Sequence, residues 1–133
     1  MGIRSDLDAN FDFEIVDEFF DHYSMMIDSM EVMILDLSKV EMQRRCIDEL
    51  FRVFHNIKSA SSYLKIEPMS RLSTLVENEL EQLRKSSNPV NEETINWFLE
   101  ISDMFAMWHE NFKLDENLTK IRFALLKIPD LEK

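Results

Sequence analysis

Three histidines, His22, His55 and His109, are the residues of this chain whose types could do chemistry. The single cysteine, Cys46, has no second thiol with which to form an internal bridge and no nearby histidine with which to share a zinc ion. That pattern suits a reducing compartment. A di-iron helical site would need Glu-x-x-His on two helices, whereas the residues three before the histidines are Phe19, Arg52 and Ala106. With one glycine in the whole sequence there is no phosphate-cradling loop, and no Gly-x-Ser-x-Gly elbow or Cys-His arrangement occurs. Most enzyme classes are excluded on these grounds, and a histidine acting as a nucleophile remains.

His55 has the most informative surroundings. Steps of three and four from it reach Asp48, Arg52, Ser59 and Ser62, while Phe51, Phe54, Ile57 and Leu64 fall mainly to the other sides, so His55 is expected on a polar helix face. Lys58 and Ser59 lie one turn further on. They place a cation and a small hydroxyl beside the imidazole, where a phosphoryl group on the ring would meet positive charge and a partner protein could approach. The bland alternative is an ordinary surface histidine next to a solvated lysine on an acidic protein. His22, between Asp21 and Tyr23, and His109, after Trp108, have no comparable setting and read as structural or surface residues.

The elements that must carry these residues are helices. Across residues 12–37 no proline or glycine interrupts a run of apolar residues at three- and four-residue steps, from Phe13 and Val16 to Ile34 and Leu37, with Asp12 as N-cap. A second helix is expected over 41–64, with a stripe of Ile47, Leu50, Phe51, Phe54, Ile57 and Leu64. A third, over 68–85, opens on Pro68 and carries Met69, Leu72, Leu75, Val76, Leu80 and Leu83. Ser-Ser-Asn-Pro at 86–89 breaks the pattern, Asn91 offers the next N-cap, and Ile95, Phe98, Ile101, Phe105, Trp108 and Phe112 mark a deeply buried helix. The tail over 118–126 leaves room for a short fifth helix ended before Pro129. The fold expected is therefore all-α, an antiparallel four-helix bundle with that short C-terminal addition, forming one domain over 1–133 with its core at about 12–113.

Composition narrows the partners. The 133 residues carry a formal net charge of −11 and are 45% hydrophobic, enough for one core without disulfides or a structural metal. Nucleic acid and anionic lipid would both require a concentrated positive surface, so neither is expected as a partner. No apolar run approaches the length needed to cross a bilayer, and the polar first ten residues resemble neither a secretory signal nor a basic transit peptide. A cytoplasmic location is the expectation.

The segment Phe54-His55-Asn56-Ile57-Lys58-Ser59-Ala60-Ser61-Ser62-Tyr63-Leu64, with Leu72 and Leu75-Val76-Glu77-Asn78-Glu79-Leu80 downstream, resembles the histidine-containing phosphotransfer (HPt) family. Its signature, His-x-x-Lys-Gly/Ser followed by a leucine- and glutamate-rich helix, matches without gaps from His55 to Leu83. The resemblance implies that His55 is the phosphoacceptor, that Lys58 supports the phosphate, and that Ser59, with Ser62 beyond it, keeps a docking surface open. In family members that belong to chemotaxis-type kinases a glutamate on the next helix hydrogen-bonds the imidazole, and Glu77 stands at that position. Its type and place equally suit a solvent-facing helix residue.

Three positions depart from the family pattern: Ser59 and Lys65 stand where glycines are usual, and Thr74 replaces the second-helix histidine of the chemotaxis kinases. Lys65 leads to the expectation of a differently shaped helix end. The implied function is to relay a phosphoryl group between aspartates of receiver domains, those of a hybrid histidine kinase and of response regulators. The chain would have no ATP site or cofactor of its own, and Mg²⁺ would be carried by the receiver. Two other readings stand beside it: a non-catalytic helical adaptor or dimerisation bundle, and the phosphorylated domain of a chemotaxis-type histidine kinase.

Overall fold

The computed structural model describes residues 2–127 and 129. Among these residues five α-helices follow one another: α1 (Ile3–Asn10), α2 (Phe13–Leu35), α3 (Gln43–Tyr63), α4 (Glu67–Lys85) and α5 (Glu92–Lys113). Among the described residues there are no strands. The caps anticipated from sequence are present. Asp12 accepts a hydrogen bond from the Glu14 amide at the start of α2, and Asn91 accepts one of 2.7 Å from the Thr94 amide at the start of α5. Pro68 sits in the first turn of α4, where its missing N–H removes no intrahelical bond.

α3 packs most closely on α4, and α2 packs on both α5 and α3. The apolar stripes meet in a core whose largest fully buried side chains are Trp108, Tyr23, Phe54, Phe98 and Phe105. Phe105 stands edge-on to both Phe54 and Trp108, with centroids 5.3 and 5.1 Å away, a favoured arrangement of aromatic quadrupoles. The Tyr23 hydroxyl donates to the Phe105 carbonyl, tying α2 to α5 through a group that would otherwise be an unpaired polar atom in the core.

Four boundaries differ from the sequence expectation. The first long helix stops at Leu35, and two 3-10 turns, Asp36–Ser38 and Val40–Met42, lead into α3; the first of them still buries Leu37 completely. The C-terminal addition is a single 3-10 turn, Phe123–Leu126, with no α-helix. It is held by Trp97, whose indole N–H donates to the Leu125 carbonyl at 3.0 Å, while the Trp108 indole donates to the Thr119 carbonyl at 2.8 Å. The additional α-helix lies instead at the other end: α1, which precedes the expected core at residue 12, buries Leu7 against the bundle. Asp115 fastens it by accepting hydrogen bonds from both the amide and the hydroxyl of Ser5, and the Ile3 amide donates to the Glu116 carbonyl at 2.8 Å. Gly2 lies so close to this corner that a Cβ there would stand 2.2 Å from the Asp115 carbonyl oxygen.

The fourth difference is at the end of α3. Lys65 adopts a left-handed conformation, φ 58°, with the Ile66 amide donating to the Ser61 carbonyl at 2.8 Å and the Lys65 amide to the Ser62 carbonyl at 3.2 Å. This is the regular double-bonded helix end that glycine ordinarily supplies. The lysine does not reshape the terminus; it occupies a glycine conformation at some cost in strain.

Candidate functional site

The α3–α4 pair brings His55, Lys58 and Glu77 together. On α3, Leu50, Phe54, Ile57 and Ser61 turn into the core, which leaves His55 on the rim with 53% of its side chain exposed. On α4, Leu72, Ser73, Val76 and Leu80 are buried, and Glu77 is drawn in among them with 8% of its side chain exposed. The solvent-facing alternative for Glu77 is thereby overturned. A carboxylate so deep is costly to ionise unless it is paired. Its Oε1 lies 2.8 Å from His55 Nδ1 and its Oε2 lies 2.9 Å from Lys58 Nζ, so one carboxylate bridges the two residues.

The charge state of this bridge follows from opposing forces. Burial pushes the Glu77 carboxyl up, but hydrogen bonds and charge from Lys58 and His55 outweigh it and hold the group below the usual carboxylate range. Glu77 is therefore ionised at neutral pH and can only accept hydrogen bonds. His55 Nδ1 must then carry the proton that it donates, which places the free lone pair of the neutral ring on Nε2. Nε2 has no hydrogen-bond partner among the described residues. Such an arrangement can present Nε2 as a nucleophile, with the opposite side of the ring fixed by a buried anion that could stabilise positive charge on the ring.

Ser59 is exposed on the same helix one turn beyond His55, leaving the approach open. Ser62 is not part of this cluster: its hydroxyl pairs with that of Ser70 at 2.7 Å, at the first turns of α4. Thr74, one turn before Glu77, bonds its own helix through the Ser70 carbonyl. Two neighbours of the site escaped the sequence reading. Phe51, assigned there to the core stripe, is only half-buried, and its ring lies within 8° of parallel to His55 at a centroid separation of 6.2 Å. Arg84 lies over Phe51, 4.5 Å from the ring centroid. An aromatic four residues before the histidine was the available signal for the first; for Arg84, on another helix, no local pattern pointed to it.

The other two histidines are placed differently. His22 is exposed on α2, beside a groove that α2 shares with Asn56 and Ala60 of α3. His109 is half-buried on α5, stacked on Phe20 with centroids 5.2 Å apart, and its Nε2 lies 2.7 Å from the Ser24 hydroxyl. Neither has a carboxylate partner among the described residues. No group of three histidine, cysteine or carboxylate side chains suited to a metal ion occurs among them either, and no helix is long and apolar enough to cross a membrane.

Comparison with known proteins agrees with this geometry. The family model described as Hpt domain matches residues 14–122, which span α2 to α5 and the site. Among curated relatives, a chemotaxis protein CheA of Salmonella typhimurium is 28% identical over 98 residues, covering 74% of this chain and 15% of its own length. A chemotaxis protein CheA of Borreliella burgdorferi is 25% identical over 91 residues, covering 68% of this chain and 10% of its own. The chain thus spans a small fraction of the relatives it matches. Comparison with solved structures gives no match.

Proposed function

The chain belongs to the Hpt domain family, a histidine phosphotransfer module, and from that premise we propose that His55 is its phosphoacceptor, relaying a phosphoryl group between aspartates of receiver domains. The observation that carries the assignment is the buried Glu77 carboxylate, which lies 2.8 Å from His55 Nδ1 while more than half of the His55 side chain is exposed and Nε2 has no hydrogen-bond partner among the described residues.

In the proposed reaction the Nε2 lone pair attacks the phosphorus of an aspartyl phosphate in line. The Nε2–P bond forms, the acyl P–O bond breaks, and the aspartate carboxylate leaves with the electron pair. The Nδ1 proton stays on the ring, where Glu77 stabilises the positive charge that accumulates there. Lys58, held by the other oxygen of Glu77, stands ready to turn toward the incoming phosphoryl oxygens. The receiver supplies Mg²⁺ and the remaining charge stabilisation, and Ser59 contributes to the open docking surface. Return of the phosphoryl group to a second receiver reverses these steps. The partners are receiver domains of a hybrid kinase and of response regulators, and the setting is the cytoplasm.

A second reading is favoured by the similarity to CheA: that this segment acts as the phosphorylated domain of a chemotaxis-type kinase. Thr74, at the place of the histidine usual in those domains, weighs against it. One experiment addresses both. The chain is incubated with a phosphorylated receiver, and separately with ATP and the catalytic part of a chemotaxis kinase, and the protein is assayed for alkali-stable, acid-labile phosphate. Label from the receiver that is lost in His55→Gln supports the relay; label only from the kinase supports the second reading. Absence of label from both supports an adaptor.

A further inference from the structure

We propose that Phe51, steadied by Arg84, is a positioning residue for phosphoryl transfer: it fixes the plane of the His55 imidazole so that the Nε2 lone pair points along one line of attack. The inference rests on His55 being the phosphoacceptor and adds a second constraint to the one supplied by Glu77.

The lone pair of Nε2 lies in the ring plane, so rotation of the ring about its χ2 bond swings the lone pair away from an incoming phosphorus. For histidine this torsion has broad, shallow wells. A single hydrogen bond from Nδ1 to Glu77 anchors one atom of the ring and permits rocking about that anchor. The protein around His55 does not prevent this, because more than half of the side chain is exposed. The one ring surface described beside it is Phe51, one turn earlier on α3 and within 8° of parallel.

Phe51 is itself restrained. The guanidinium of Arg84 sits 4.5 Å from its centroid, within cation–π range. Two carboxylates fix that guanidinium in turn: Nε donates to Asp48 Oδ1 at 3.1 Å, and Nη1 to Glu81 Oε2 at 3.2 Å. Asp48, Phe51, His55 and Lys58 thus run down one face of α3 opposite Arg84, Glu81 and Glu77 on α4. The inner part of this ladder is anchored by the buried carboxylate and the outer part by the cation. In-line transfer is sensitive to small errors of orientation, so a ring that rocks should lose rate rather than partner affinity.

The test uses the full chain and a phosphorylated receiver in single-turnover transfer, over a range of receiver concentrations, together with the NMR signals of the His55 ring nitrogens. Phe51→Leu is expected to lower the maximal transfer rate about tenfold with the half-saturating receiver concentration unchanged, and to average the ring signals. Phe51→Tyr is expected to restore both, and Arg84→Gln, which leaves the aromatic in place, to give a smaller loss. A wild-type maximal rate in Phe51→Leu would overturn the proposal. So would a loss confined to half-saturation, which marks a docking contact, or a Phe51→Tyr variant that melts like the wild type yet is as slow as Phe51→Leu. A wild-type chain that accepts no label would overturn the phosphotransfer reading itself, and this proposal with it.

Discussion

His55 and His109 each have one ring nitrogen hydrogen-bonded to a side chain on a neighbouring helix and an aromatic ring close to parallel beside the imidazole. On the α3–α4 face the hydrogen-bond partner is a buried carboxylate shared with a lysine, and the ring is more than half exposed. On the α2–α5 face it is the Ser24 hydroxyl, which also donates to the Phe20 carbonyl and so accepts from the imidazole; the ring there is half-buried against Phe20 and Tyr23. A neutral hydroxyl can orient a ring but offers little to a positive charge arriving on it. Under the proposed function the two histidines are distinguished by the charge of the partner and the exposure of the ring, since both have hydrogen bonds and stacking.

The largest expected effect breaks this comparison outright. His55→Gln abolishes phosphoryl acceptance with the helical circular dichroism retained, whereas His109→Gln transfers at close to the wild-type rate; equal loss in both would end the distinction. Glu77→Gln comes next. It keeps the shape but removes the charge, and loss of a charge-assisted bond worth about 1.5–3 kcal/mol corresponds to a transfer rate lower by roughly 10- to 150-fold, measured in single-turnover transfer. Lys58→Ala is expected to slow transfer less, because Glu77 and Nδ1 stay paired.

The pH dependence sharpens the same contrast. Since Glu77 is held below the usual carboxylate range, its contribution to stability is complete above the unfolded-state value and is lost as pH falls through the lower folded-state value. Glu79, two residues along α4, has the opposite sign: burial raises its carboxyl, so it favours the folded state most at low pH and that contribution is lost as pH rises through the folded-state value. Glu79→Gln is expected to raise the melting temperature at pH 7 relative to wild type and to narrow the difference as pH falls, whereas Glu77→Gln lowers it at pH 7. Thermal melts from pH 3 to 8 check both signs.

The smallest effect lies away from the chemistry, at the end of α3. Lys65→Gly should relieve left-handed strain and stabilise the fold by about 0.5–1 kcal/mol, seen as a melting temperature higher by roughly 2–5 °C, with no change in transfer.

The long amphipathic helices were legible because α2 to α5 carry their own periodic stripes and, at Asp12, Asn91 and Pro68, their own start signals. α1 was not. Ile3 and Leu7 are too few for a pattern, and the helix depends on Asp115 and Glu116 at the far end of the sequence, a contact that no local window contains. The tail was likewise mistyped because its conformation is set by hydrogen bonds from Trp97 and Trp108. At the site, the polar face of His55 and the proximity of Lys58 followed from helical spacing alone. The place of Glu77 came only through family resemblance, since which of α4's many acidic residues turns inward is decided by how α4 rolls against α3. Phe51 was read as core because the stripe was treated as fully buried, although its edge position lets one aromatic serve both the core and the imidazole.

The most direct test of the account is the position of the phosphate on the ring. The chain, phosphorylated by a receiver and labelled with nitrogen-15, is examined by phosphorus and nitrogen NMR. The account predicts phosphorus coupled to Nε2 of His55 while Nδ1 keeps its proton. Phosphorus on Nδ1, or on any residue other than His55, would contradict it.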